Sequence, residues 1–226
     1  MSKRHISIIV PTLNESHGIT ATLTHLQALR QAGHELIVVD GGSMDDTVTH
    51  AAPLADRLVT APRGRARQMN AGAAAATGDV LLFLHADTIL PIDAAAHITV
   101  DNNHLWGRFD VRLSGTHPLL RIVESMMNLR SRLTGIATGD QALFVERALF
   151  LVVGGFPEQP LMEDIALSRK LKRHGRPLCL RIKVTTSSRR WEQNGIWSTI
   201  LLMWRLRLAY FLGADPARLA RLYYRP

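Results

Sequence analysis

DVLLFLHADT, residues 79–88, runs through five apolar residues at 80–84 and passes directly into His85 and Asp87. An unbroken apolar run of this length, bounded by polar residues and glycine, is the pattern of a strand covered on both faces. Such a strand belongs in the middle of a parallel sheet, and the residues before it alternate accordingly. RARQMNAGAAAATG (65–78) reads as an alanine-rich helix closed by Gly78, and RLVTAP (57–62) as a strand. SMDDTVTHAAPLA (43–55) is a short helix that follows HELIVVDGGS (34–43), a strand ending in an acid and glycines. ITATLTHLQALRQAG (19–33) places Ile19, Leu23, Leu26 and Leu29 at helical spacing and stops at Gly33. HISIIVPTLNE (5–15) is a β-branched strand stopped by proline. Strands and helices alternating over this half predict an α/β fold with a largely parallel sheet between two helical layers.

The second half is less regular. WGRFDVRL (106–113) alternates like a half-exposed strand, and HPLLRIVESMMNLRSRLTG (117–135) is an amphipathic helix. Residues 137–157 read as loop, strand, short helix and glycine turn. MEDIALSRKLKRHG (162–175) has helical spacing from Ile165 through Leu167 and Leu171 behind an acidic pair. IWSTILLMWRLRLAYFLG (196–213) is the most apolar stretch, but it is short and carries Arg205 and Arg207, which argues against a membrane span. It reads first as a core-packed helix and second as an interfacial helix with Trp197 and Trp204 at a headgroup layer. With no internal repeat or low-complexity linker, residues 1–226 are expected to form one domain.

Of the 226 residues, 46% are hydrophobic and 20% charged, which is the balance of a folded chain and not a disordered one. A single cysteine, Cys179, excludes an internal disulfide framework. The apolar run in MSKRHISIIV is too short for a signal-peptide core, so the expected location is cytoplasmic, with peripheral contact at the inner face of the membrane as the alternative. The formal charge of +8 favours anionic partners: nucleotide phosphates, nucleic acid or anionic lipid. The late clusters SRKLKRHGRP (168–177) and SSRR (187–190) carry much of it, and most of those side chains read as a solvated surface.

In open parallel sheets, ligands bind beyond the carboxyl ends of the strands, and three such ends here are polar: PTLNE, DGGSMDD and HAD. Asp40 can accept hydrogen bonds from a base or ribose, with Gly41 allowing close backbone approach; an ordinary strand-end turn is the plainer reading. Asp87 follows the central strand, where one carboxylate suffices to hold Mg²⁺ or Mn²⁺ against a diphosphate. His85 could ligate the metal, bond a phosphate or simply pack. Arg63, Arg65 and Arg67 precede or open a helix, where guanidinium and amide groups together favour phosphate. Glu163 and Asp164 open another helix; such acids can serve as caps, or as one structural acid and one general base.

In order, VPTLNE, VVDGGSMDDT, GRARQMNAGAAAATGD, LLFLHADT, GDQALFV, GGFPEQPLMEDIALSRKL and SSRRW resemble family 2 glycosyltransferases of the GT-A fold, over residues 5 to about 195. HADT with GDQ, PLMED and SSRR is similar to a small bacterial subfamily linked with arsenosugar biosynthesis. The resemblance implies a three-layer α/β/α sandwich with a mixed, mostly parallel sheet and C-terminal helices. Residues 1–105 would form the nucleotide-binding half, 106–195 the acceptor half and 196–226 a helical segment. It implies inverting transfer of one sugar from a nucleotide-diphosphate sugar, with Mg²⁺ or Mn²⁺, to a small-molecule or lipid-linked acceptor. Pro11, Thr12, Asn14 and Glu15 would line the nucleotide pocket, Asp40 and Gly41 the base or ribose, and Arg65 and Arg67 the base or diphosphate. His85, Ala86 and Asp87 stand where the family has Asp-X-Asp, so histidine replaces the first acid. Asp164, beside Glu163, matches the catalytic base. Gly139 and Asp140, with Arg189, Arg190 and Trp191, fall on the acceptor and phosphate side. The SSRRW run lacks the glutamine of the motif found in processive synthases, which favours single transfer over polymerisation.

Two other readings compete. A sugar-nucleotide pyrophosphorylase would need a glycine-rich basic loop after the first strand, which PTLNES does not supply. A nucleic-acid- or lipid-binding module would use the basic surface, but the acids at strand and helix ends would repel a phosphate backbone.

Overall fold

The first strand, β1 (Ile6–Thr12), buries Ile6, Ile8 and Val10 on one face and Ile9 on the other. That two-residue period, apolar on both sides, calls for a helical layer above and below. Helix α1 (Ile19–Gln31) supplies one layer: Ile19, Leu23 and Leu26 pack on Ile8 and its neighbours. The computed structural model, which describes residues 4–101 and 103–224, continues through β2 (Glu35–Asp40), α2 (Thr47–Ala51) and β3 (Arg57–Thr60). Helix α3 (Arg65–Ala75) forms the opposite layer. Its small residues let it sit close, for a Cβ on Gly72 would lie 2.4 Å from Ile9 Cγ2. The half closes with β4 (Val80–Phe83), β5 (Thr88–Ile89) and α4 (Ala94–His97).

The second half comprises β6 (Trp106–Leu113), α5 (Pro118–Thr134), β7 (Phe144–Glu146), α6 (Arg147–Val152), α7 (Glu163–Leu171) and β8 (Leu178–Thr186). Three helices follow, α8 (Arg189–Gln193), α9 (Ile196–Phe211) and α10 (Pro216–Tyr223). Among the described residues the strands form one eight-stranded sheet in the order β3-β2-β1-β4-β7-β6-β8-β5. The β3, β2, β1 and β4 strands are parallel; β7 runs antiparallel to β4 and to β6, and β6 pairs in parallel with β8. The mixed α/β sandwich expected from the sequence is therefore present, with the loops after β1, β2, β3 and β4 gathered at one end of the sheet.

Several local expectations are corrected. The first strand does not stop at Pro11, which pairs with Val39. Pairing of β1 with β4 ends at Ile9, so the imide nitrogen of Pro11 lies where no donor is needed on that side. Gly78 does not close α3, which ends at Ala75; a Cβ on Gly78 would lie 2.7 Å from the Ser7 nitrogen, so this glycine permits close chain approach instead. The helix expected over 43–55 starts only at Thr47, and a 3₁₀ turn (Ala52–Leu54) follows it. The strand expected over 79–88 ends at Phe83, and Thr88–Ile89 pairs with β8 at the far edge.

The alternation in 106–113 does not leave β6 half exposed, because α5 covers its polar residues and satisfies them. Arg108 is fully buried, bonds Asp110 and donates to Ser131 Oγ at 3.0 Å, while Arg132 bonds the other Asp110 oxygen. Asn128 brackets Val111, accepting from its nitrogen at 2.9 Å and donating to its oxygen at 3.0 Å. Such a buried charge cluster persists only when every partner is in place. Strand β8, LCLRIKVTT, was not anticipated; its Arg181 and Lys183 side chains face solvent and interrupt the apolar pattern. Helix α9 is core-packed along one face only: Leu206 is buried among Leu202, Met203, Ala209 and Tyr210 against Ile165 and Leu219, and Thr199 is its other buried residue.

Candidate active site

The loops at the carboxyl end of the sheet enclose a cavity of about 850 Å³. Pro11, Thr12 and Glu15 enter from the end of β1, Arg63 and Arg65 from the start of α3, and Ala86 and Asp87 from the end of β4. The opposite wall comes from α8, α9 and α10 through Arg189, Arg190, Trp191, Met203, Tyr223 and Tyr224. Among the described residues, the non-glycine positions at positive φ are Asn14, Ala142 and Met162, and each lies in or beside a loop that shapes this end. Strain of that kind persists where surrounding contacts enforce it, and it concentrates at functional sites. Asn14 shows how: its Oδ1 accepts from the Met44 nitrogen at 2.9 Å, and its own nitrogen donates to Ser43 Oγ at 2.9 Å, tying the β1 and β2 loops together.

The cavity is electrically mixed. Burial raises Glu15 above its ordinary pKa; Arg189 opposes that rise and Asp87 adds to it. Although Arg65 is open to solvent across the cavity, protein surrounds it. Burial would lower its pKa, but Tyr224, Glu163, Tyr223 and Asp140 outweigh that and hold it charged. Arg190 lies over the Tyr223 ring, 3.5 Å from its centroid, and donates to the Tyr223 carbonyl at 2.7 Å. These contacts fasten α10 over the cavity.

A second, small crevice of about 20 Å³ shares Arg65 and His85 with the cavity and is lined by Gly139, Glu163 and Asp164. Met162, left-handed at the N-cap of α7, turns the acidic pair inward. Asp164 is held at both oxygens, Oδ2 accepting from Gly139 at 2.9 Å and Oδ1 from its neighbour Ile165 at 2.7 Å. Burial raises Asp164 above its ordinary pKa despite those bonds, and burial together with Asp164 pushes Glu163 up to about 7. Asp140 moves the other way: burial would raise it, but His85, Arg65 and Arg130 bring it down.

His85 Nδ1 lies 3.5 Å from Asp140 Oδ1, and the ring packs so closely on Gly139 that a Cβ there would sit 2.3 Å from Nε2. Asp87, by contrast, is exposed to the cavity and accepts one long hydrogen bond, 3.5 Å from Thr88. Among the described residues, no cluster of three or more His, Cys, Asp or Glu is placed to hold a metal ion. A cation here would take Asp87 and complete its shell from diphosphate and water, which suits Mg²⁺ or Mn²⁺.

Four expected residues line neither the cavity nor the crevice. Asp40 accepts from Gly42 and Ser43 backbone nitrogens and from Ser43 Oγ, so both its oxygens serve the turn. Gly41 makes room for Gln68, whose Nε2 bonds the Thr12 and Val39 carbonyls at 2.8 and 2.9 Å. Arg67 pairs with Glu158 on the surface, 3.1 Å apart, and Asn14 is spent on its loop. Sequence reasoning missed Gln68, Arg130, Met203, Tyr223 and Tyr224. Arg130 points towards Asp140 and Asp164 from α5, and its Nε and Nη2 are buried without partners among the described residues. Only Gln68 had a legible signal, a polar residue on the buried side of an alanine-rich helix.

Residues 7–99 match the model of glycosyl transferase family 2. The match runs from β1 through α4, the segment that supplies Pro11, Thr12, Glu15, Arg65, Ala86 and Asp87 to the cavity wall. A PGL/p-HBAD biosynthesis glycosyltransferase of Mycobacterium bovis is 40% identical over 97 residues, 40% of this chain and 38% of that protein. An uncharacterized glycosyltransferase of Mycobacterium tuberculosis is 31% identical over 164 residues, 67% of this chain and 62% of that protein. The chain thus spans less than two thirds of the length of either relative. Among solved structures, a mannosyltransferase from Pyrobaculum calidifontis in complex with GDP-Man and Mn²⁺ superposes with a TM-score of 0.68 at 21% identity, covering 99% of this chain and 71% of that one. The fold is that of GT-A glycosyltransferases, and residues 7–99 are similar to glycosyl transferase family 2.

Proposed function

We propose that this chain transfers a single sugar, with inversion, from a nucleotide-diphosphate donor to an acceptor hydroxyl. The observation that carries the reading is Asp164: an acid fixed at both oxygens, with a raised pKa, in a crevice beside a cavity lined by arginines and Asp87. A base poised nearer neutral pH than an ordinary aspartate suits removal of a hydroxyl proton. In the reaction, Asp164 takes the acceptor proton as the new carbon–oxygen bond forms. The bond to the diphosphate breaks on the opposite face of that carbon, and its electron pair leaves with the diphosphate. Arg63, Arg65, Arg189 and Arg190 stabilise the departing charge. Asp87 would hold Mg²⁺ or Mn²⁺, whose chemistry there is neutralisation of the diphosphate. In this reading His85 positions Asp140 and is not a metal ligand, and Glu163 is the structural acid of the pair.

The acceptor side is walled by Trp191, Met203, Tyr223 and Tyr224, surfaces suited to the face of a sugar or the apolar part of a small-molecule or lipid-linked acceptor. Segments 85–88, 139–141, 160–164 and 187–190, which carry the narrower likeness to the arsenosugar-linked subfamily, all contribute to the cavity wall. One sheet running through both halves supports treating 1–226 as a single unit. A thermal-shift screen of UDP-, GDP- and dTDP-sugars with and without Mn²⁺ tests the reading. One donor class should raise Tm only when Mn²⁺ is present, and Asp87→Ala should abolish that metal dependence. Identical donor affinity with and without metal in both proteins removes Asp87 from the role. Tight DNA binding with no nucleotide response reverses the assignment.

A further inference from the structure

Helix α9 has two faces with different duties. Thr199 and Met203 line the cavity, while Trp197, Leu201, Trp204, Leu208 and Phe211 are each at least 60% exposed. At about 3.6 residues per turn these five fall on one stripe, directly opposite the cavity face. Arg205 and Arg207 flank that stripe, one on each side. Helix α5 adjoins α9, with Leu120, Val123 and Met127 packing against Ile196 and Ile200. It exposes a stripe of its own: Ile122, Met126, Leu129 and Leu133. Five large apolar side chains exposed along one face of α9 mark an interaction surface.

We propose that the exposed α9 stripe, with that of the neighbouring α5, docks this protein on an anionic membrane surface. Charge selects the occupant. The α9 segment contains no Asp or Glu, and the only acid of α5, Glu124, is 4% exposed and paired with Arg121 and Lys183. The exposed faces of α5 and α9 therefore carry apolar side chains and cations but no exposed acid, on a chain of formal charge +8. Two tryptophans on the stripe suit the headgroup layer, and flanking arginines suit anionic headgroups. A second copy fits less well, since a two-fold contact through this face would set one cationic rim against the other. No helix among the described residues is long and apolar enough to cross a membrane, so the contact is one of lying on the surface. Because α9 also walls the cavity, docking in this way would set its acceptor side close to the lipid. The inference does not depend on the transferase reading, because its readout is binding to lipid.

Flotation of the full chain with vesicles of phosphatidylcholine, or of equimolar phosphatidylcholine and phosphatidylglycerol, tests it. The chain should float with the phosphatidylglycerol vesicles, at least tenfold more than with phosphatidylcholine alone. Trp204→Ser combined with Leu208→Ser should lower that binding at least tenfold, and Arg205→Gln combined with Arg207→Gln should remove the lipid preference. These side chains are mostly in solvent, and circular dichroism confirms the fold of each variant. Absence of flotation, or equal flotation of the serine variant, overturns the proposal. So does a dimer in light scattering that the serine changes split while vesicle binding stays absent, which would assign the face to a second copy.

Discussion

The Gly139 nitrogen donates to Asp164 Oδ2 at 2.9 Å, and on its other side Gly139 carries the His85 ring. One glycine thus joins the 3₁₀ turn (Gly139–Gln141) to the first turn of α7 and to the end of the central strand. The acid proposed as base and the histidine two positions before Asp87 thus rest against opposite sides of one residue.

Replacing Asp164 by Asn separates binding from chemistry. The amide can accept at one oxygen, leaving either Gly139 or Ile165 facing an NH₂ group, so a modest loss of Tm is expected. Turnover should fall by about a hundredfold or more, the contribution of a positioned base, while donor binding read by thermal shift persists. Unchanged turnover would remove Asp164 as the base.

Glu163 makes stability depend on pH. Burial, with Asp164 adding and Arg65 opposing, raises it from 4.5 to about 7. A carboxyl raised on folding binds more protons in the folded state. Its favourable contribution is therefore complete below 4.5 and is lost as pH rises to about 7. Glu163→Gln removes that titration and should be the more stable protein at about pH 8, by on the order of a few kcal/mol, with the gap closing towards about pH 5. Melting curves of both proteins across this range provide the check; parallel curves would show that Glu163 ionises without penalty.

Gly139→Ala would place its Cβ 2.3 Å from His85 Nε2, and the His85 side chain is only 14% exposed. Overpacking of this kind costs about 1–3 kcal/mol. Denaturant unfolding should show that loss, with Asp140 rising once the ring moves away. An unchanged midpoint would mean that the His85 ring can turn aside freely.

The layered α/β architecture was legible because it rests on local periodicity. Residues 80–84 are apolar throughout and supply the buried strand β4, and 19–33 carry apolar residues three and four apart and supply α1. Strand-end chemistry was legible for the same reason, since Glu15, Asp87 and Arg65 follow or open elements whose ends the sequence marks. What each strand end does was not. Asp40 and Asp87 look alike in sequence, but the turn through Ser43 consumes one carboxylate while the β4 loop leaves the other open. Arg65 and Arg67 are two residues apart on α3; helical rotation sends one into the cavity and the other to Glu158.

The sequence by itself determined the elements, their order and the acids and arginines at their ends, because short-range spacing and backbone chemistry dictate these. The tertiary structure decided which of those groups meet. It brought Asp164 to Gly139 across 25 positions and laid Tyr223 under Arg190 across 33. It also turned α9 so that one face closes the cavity and the other remains bare. Contacts of that kind depend on where chain packing delivers each helix, and no spacing within a segment encodes that position.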